Sequence, residues 1–189
     1  MTPIDNRVRG LLDGGDVDGA ATAALQELGP HILGWLRAVH GPDDGDEVFA
    51  EFAERIWKGL PGYRGESPIR PWAYRVAWNA SRSFRDEAWQ RRRRRLATSA
   101  ASRLADEVTR SAGPARDDER LRRLRQLLPP DDHTLLVLRL DREMGWEEIS
   151  AVLSATGEEV SAPTLRKRYE RLKERLAREA RDHGLLDDA

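Results

Sequence analysis

The sequence predicts an all-α protein built as two small helical domains joined by a flexible linker, the second domain a helix-turn-helix. Three observations carry this. No run of alternating β-branched residues bounded by a hairpin turn occurs anywhere in the 189 residues. Apolar residues instead recur at steps of three and four over several long stretches. Between the two groups of such stretches lies LATSAASRLADEVTRSAGPARDD, residues 96–118, where small and polar residues dominate and Gly113-Pro114 interrupts any helix. The expected organisation is therefore a domain over 1–95, a linker over 96–118 and a second domain over 119–189.

Each element follows from local signals. Leu25, Leu28, Ile32, Trp35, Leu36 and Val39 mark one amphipathic helix, with Asp18 upstream as N-cap and Gly41-Pro42 as its stop. Val48, Phe49, Phe52, Ile56 and Trp57 form the apolar stripe of a second helix from about Asp46 to Lys58, with Glu47, Glu51, Glu54 and Arg55 outside it. Gly59 to Gly65 breaks the pattern. Ser67-Pro68 then offers a cap and a first-turn proline for a helix that runs through Trp72 into the arginines. In the second half, Leu121, Leu124, Leu127 and Leu128 end at Pro129-Pro130. Leu135, Leu136, Leu138 and Leu140 form a helix that Asp131 or Asp132 caps, and Trp146, Ile149, Val152 and Leu153 form a short one. After a loop from Ser154 to Ser161, Pro163 opens a long last helix with Leu165, Tyr169, Leu172, Leu176 and Ala180 inward. Two short helices and a turn before a basic helix describe a helix-turn-helix.

Composition excludes several classes of function. No apolar run is long enough to span a bilayer, and Met1 to Gly10 lacks the apolar core of a signal peptide, so the chain is expected in the cytoplasm. The absence of cysteine removes disulfides, thiolate metal ligands and cysteine nucleophiles. His31, His40, His133 and His183 are scattered, so no metal or other cofactor is expected. With no phosphate-binding glycine loop and no paired His and carboxylate motif, an enzyme is the least supported class. The net charge of −1 conceals a segregation: Asp5, Asp13, Asp16, Asp18, Asp43, Asp44, Asp46, Glu47, Glu51 and Glu54 make the first third acidic. Residues 70–95 and 164–181 are strongly basic, which points to two kinds of partner surface on one chain.

Two stretches carry nucleic-acid chemistry. In TLRKRYERLKERLARE, Arg166, Lys167, Glu170 and Arg171 project from the face opposite Leu165, Tyr169 and Leu172. A recognition helix needs this division, because its apolar face locks onto the preceding helices while its arginines reach guanine edges or phosphates. The alternative is a solvated helix whose Glu and Arg residues pair with one another. In RPWAYRVAWNASRSFRDEAWQRRRRR, residues 70–95, Trp72 and Val76 are expected in the core. Tyr74 and Trp78 lie on a different face, and an exposed aromatic beside Arg75, Asn79 and Arg82 has the composition of a single-strand stacking platform. The run Arg91 to Arg95 is most economically explained by phosphate contact, since like charges in sequence repel.

Taken together these residues resemble the bacterial sigma-70 factors of the extracytoplasmic function type. In that family an acidic-aromatic helix ending in Trp leads through a Leu-Pro and Phe-Arg-Gly loop to a Trp-x-Tyr-Arg-Ile-Ala-x-Asn helix and a basic tract. The corresponding text here is DEVFAEFAERIWKGLPGYRGESPIRPWAYRVAWNASRSFRDEAWQRRRR. LPPDDHTLLVLRLDREMGWEEISAVL followed by TLRKRYERLKERL resembles the family's C-terminal DNA-binding domain. The likeness covers residues 20–95 and 119–178.

The resemblance implies a transcription initiation factor that binds core RNA polymerase and directs it to promoters. The first domain would correspond to region 2, docking on the polymerase through Asp46, Glu47, Phe49, Phe52, Ile56 and Trp57. It would recognise the −10 element through the loop Tyr63 to Ile69, with Arg64, and through Arg75, Asn79, Arg82 and Ser83. The second would correspond to region 4, recognising the −35 element through Thr164, Arg166, Lys167, Glu170 and Arg171. The chain departs from the family at Ala50 and Ala53, where Gln and Phe are common, and in its long link from Ser154 to Pro163. Regulation is then expected from outside, through an anti-sigma factor or expression level. The competing readings are a stand-alone helix-turn-helix regulator that does not engage polymerase, and an all-helical adaptor that binds only protein.

Overall fold

The computed structural model describes residues 2–86, 108, 128–154 and 159–182. The protein is all-α: every regular element among the described residues is helical. The chain divides into two compact units, Met1–Pro114 and Ala115–Ala189. The helix expected over 121–128, apart from Leu128, the arginine run 91–95 and nearly all of segment 96–118 lie outside the described residues. Within that segment Val108 is helical and 6% exposed. Its methyl groups lie about 3.4 Å from where a Cβ on Gly29 would sit. Val108 thus belongs to the core of the first unit, although the sequence places it in the linker.

The first unit opens with a helix that the sequence reading misses, α1, Pro3–Asp13. Thr2 and Asp5 form a reciprocal capping box, and Pro3 stands in the first turn where its missing N–H costs nothing. α2, Val17–His40, is capped two residues earlier than expected: Asp16 Oδ1 accepts from the Gly19 amide at 2.8 Å. Pro30 lies inside α2, and both it and Gln26, whose carbonyl loses its helical partner, are on the exposed side where solvent can serve that oxygen. Gly41 ends α2, and Pro42 at once starts α3, Pro42–Gly59, four residues before the expected Asp46. α2 and α3 cross so closely at Gly45 that a Cβ there would meet the Arg37 backbone at 2.6 Å. Next to this crossing, Arg37 grips Asp46 with two bonds, of 2.5 and 3.1 Å. A short 3₁₀ turn, Leu60–Gly62, and a loop lead to α4, Ile69–Asp86.

The core of this unit is Val8 of α1, Ile32, Leu33, Trp35 and Leu36 of α2, Val48, Phe49, Phe52 and Ile56 of α3, and Ile69, Ala73, Tyr74 and Ala77 of α4. Trp35 packs on Tyr74 with ring centroids 5.7 Å apart, and Phe49 on Phe52 at 5.6 Å.

In the second unit α5, Pro130–Leu136, passes into a π-helical turn, Val137–Asp141. α6 is Trp146–Leu153 and α7 is Ala162–Asp182. Neither Asp131 nor Asp132 caps α5 by a side-chain bond, contrary to expectation. Asp132 instead turns inward to α7. Leu140, expected in the apolar stripe, is 54% exposed, because the π turn carries the chain an extra residue round before it. The other apolar positions behave as their spacing requires: Leu165, Tyr169, Leu172 and Ala180 of α7 are buried, as are Leu135, Leu138, Ile149 and Val152, and Leu176 is half-buried. The long link before α7 closes back on α6, with Ser150 Oγ donating to the Val160 carbonyl at 2.7 Å and the Val160 amide donating to Ser154 Oγ at 2.9 Å. Ser161 Oγ accepts from the Thr164 amide at 3.4 Å at the start of α7.

Candidate nucleic-acid interface

The two basic faces lie on different units, and each can be built from its helix. On α4 the small residues Ala73, Ala77, Ala80 and Ser81 are fully buried and define the packed side. Tyr74 and Trp78, at 1% and 3% exposure, flank that side and are core residues. Trp72 and Val76 are half-buried. This reverses the expected assignment of the aromatics. Aromatic residues alone could not decide between the faces, whereas the alanines at steps of three and four mark the one that packs closely.

The outer side of α4 carries Trp72, Arg75, Asn79, Arg82 and Ser83, at relative positions of three, seven, ten and eleven, hence on one stripe. All five are half-buried. The expected −10 residues of this helix therefore share one face, with Trp72 as its aromatic in place of Tyr74 or Trp78. Trp72 packs on Tyr63 of the preceding loop with tilted rings, centroids 5.1 Å apart, and its six-membered ring lies beside Gly59. The Asn79 Oδ1 is buried and has no hydrogen-bond partner among the described residues.

The loop that adjoins this face is ordered by several bonds. Tyr63 donates its hydroxyl to the Ser67 carbonyl at 2.5 Å. Burial and the Asp5 charge push the Tyr63 hydroxyl above its ordinary value, so it stays a neutral donor. Gly65 has φ of +68°, the left-handed region that a residue with a Cβ adopts only under strain. Arg64 reaches outward, its side chain 83% exposed and 3.8 Å from Glu66. Asp5, 4% exposed, accepts the Ile69 amide at 2.7 Å and so caps α4 from sixty-four residues away. Burial alone would raise its carboxyl, but bonds from the Thr2 and Ile69 amides and the Thr2 hydroxyl outweigh this and hold it below the ordinary value. The cap is thus charged at neutral pH, where it favours a helix N-terminus. The sequence assigned this end to Ser67-Pro68.

On α3 the structure separates the expected polymerase-binding residues. Phe49, Phe52 and Ile56 are 0 to 1% exposed and form core, so they are withdrawn from any docking surface. Glu47 is exposed, Trp57 is half-buried, and Asp46 is half-buried in its pair with Arg37. Asp43 and Asp44 extend the exposed acidic end of the helix.

On α7 all five expected −35 residues, Thr164, Arg166, Lys167, Glu170 and Arg171, are exposed. They occupy two flanks. Thr164, Lys167 and Arg171 line a groove of about 460 Å³ together with Arg168, Leu172, Arg175 and Asp132. Asp132 accepts from Arg168 at 2.8 Å and from Arg175 at 2.6 Å, which ties α5 to α7 and fixes two cations at the groove. The sequence reading missed Arg168 and Arg175; their position one turn apart on either side of Arg171 is the signal that could have found them. Arg166 and Glu170 stand on the other flank. Arg166 lies 3.9 Å from Glu147 of α6. Glu170 binds Lys173 at 2.8 Å and, chiefly through that bond, raises the Lys173 ammonium above its usual value. Tyr169 and Trp146 meet edge to face at 5.4 Å beneath this flank, with Arg139 over the Trp146 ring at 4.8 Å.

Chemically these faces present arginines and a lysine beside aromatic and carboxylate side chains. No family model matches the chain, and a search of curated proteins finds no match. No helix among the described residues is long and apolar enough to cross a membrane.

Proposed function

We propose that the chain is a transcription initiation factor, of the sigma-70 extracytoplasmic function type, that binds bacterial core RNA polymerase and directs it to promoters with specific −10 and −35 elements. The observation that carries this reading is a separate basic face on each of two compact units, the half-buried outer stripe of α4 with the exposed Arg64 of its loop in one and the exposed side of α7 in the other. A protein that holds two promoter elements needs two such faces. Arg75, Asn79, Arg82, Ser83, Tyr63 and Arg64 would contact the −10 element, with Trp72 as the stacking surface. Thr164, Lys167 and Arg171 would meet the −35 element from one flank of α7 and Arg166 and Glu170 from the other. The acidic exposed end of α3, with Glu47 and Trp57, would serve the polymerase. The chain would work in the cytoplasm without a cofactor, and an anti-sigma factor could restrain it.

The test is reconstitution with core polymerase on a promoter library, sequencing the transcript starts. Starts at a fixed distance from two recurrent elements are expected. Starts that are the same with and without the chain would contradict the proposal.

A further inference from the structure

We propose that α1 acts as a strut that presents the 63–69 loop to DNA, with Asp5 and Arg9 as positioning residues that never touch the promoter themselves. This rests on the reading of the chain as an initiation factor. α1 holds the loop at two places. Asp5 Oδ1 takes the Ile69 amide at 2.7 Å, where the loop enters α4. Arg9 donates to the Gly65 carbonyl at 3.1 Å, at the left-handed bend in the loop's middle. A Cβ on Gly65 would lie 2.6 Å from the Arg9 guanidinium, so the bend and the arginine are fitted to each other.

These bonds have a directional result. With Gly65 and Ile69 tied back to α1, and Tyr63 bonded to Ser67 and packed against Trp72 of the outer stripe of α4, the neighbouring Arg64 side chain is left pointing to solvent. Fixing an irregular backbone costs conformational entropy for every residue ordered. A loop ordered before binding does not meet that cost on the DNA. Arg9 is exposed, and a surface hydrogen bond contributes little to global stability, so stability alone does not account for it. Asp5 is buried and also closes the capping box of α1, so its removal weakens the fold as well.

The full chain carrying Arg9→Ala, Arg9→Lys or Asp5→Asn tests this. Amide hydrogen exchange is followed at Tyr63 and Ile69, both hydrogen-bonded in the native chain. Initiation is measured with core polymerase on templates randomised at the −10 element. Arg9→Ala is expected to melt with the native chain and bind core polymerase equally, yet exchange faster in the loop and initiate about tenfold less, with relaxed −10 preference, because the ordering of about one loop residue then falls on the DNA-binding step. Arg9→Lys should restore part of both. Unchanged exchange in the loop, or faster exchange with unchanged initiation and preference, overturns the strut. A native chain that gives core polymerase no promoter-specific starts defeats the functional reading instead, and the strut's role with it.

Discussion

Phe52→Asp is expected to unfold the first unit rather than to loosen a contact with polymerase. Phe52 is 1% exposed and packs on Phe49. Truncating a buried phenylalanine costs about 3–5 kcal/mol, before the penalty for burying an unpaired carboxylate. Against a total stability of about 5–15 kcal/mol for a domain, such a loss removes most of the folded population. Circular dichroism melts are the check, run beside Glu47→Lys. The surface variant should keep the native melting temperature while binding core polymerase less well. A Phe52→Asp chain that melts within a few degrees of native yet no longer binds polymerase would return that side chain to the docking surface.

Charge reversal on α7 is expected to act on DNA and leave the fold intact. Arg166 and Arg171 are both exposed, so Arg166→Glu and Arg171→Glu should melt like the native chain. Each lost base or phosphate contact costs about 1–3 kcal/mol of promoter binding, and reversal adds repulsion. The flanks should differ in kind. Arg171 belongs to the groove with Lys167, Arg168 and Arg175, where summed positive charge suits phosphate, so its loss should weaken all sequences alike and lower the salt dependence. Arg166 and Glu170, on the other flank, should change the preference for particular −35 bases if they reach base edges. Folded variants that initiate at native levels on their own promoters would remove α7 from the interface.

Much of this architecture is legible in the sequence because period and chemistry agree there. Leu165, Tyr169 and Leu172 sit at one helical face, and nothing else on α7 competes for the core. On α3 the stripe Phe49, Phe52 and Ile56 is equally clear, but a stripe at helical spacing is core before it is an interface, and all three side chains are buried. On α4 aromatics stand on two sides, so the pattern of large residues was ambiguous, and only the buried alanines resolve it. α1 was missed because Val8 is its one fully buried apolar side chain, although Thr2, Pro3 and Asp5 spell a helix start. Long-range bonds such as Asp5 to Ile69, or Asp132 to Arg168 and Arg175, leave no local trace in sequence, since their partners are 36 to 64 residues apart.

If the chain acts on promoters through polymerase, a titration of labelled promoter DNA shows it. With a net charge of −1 the free protein has little long-range attraction for DNA. Its two basic faces lie in separate units, so both engage one promoter only at an effective concentration set by the chain between them. Core polymerase would hold them at the promoter spacing and cover the acidic end of α3. At near-physiological salt the chain alone is expected to bind weakly and with steep salt dependence, and to bind tightly and specifically once core enzyme is added. Tight and specific binding by the chain alone, unchanged by polymerase, would contradict this and identify a stand-alone helix-turn-helix regulator.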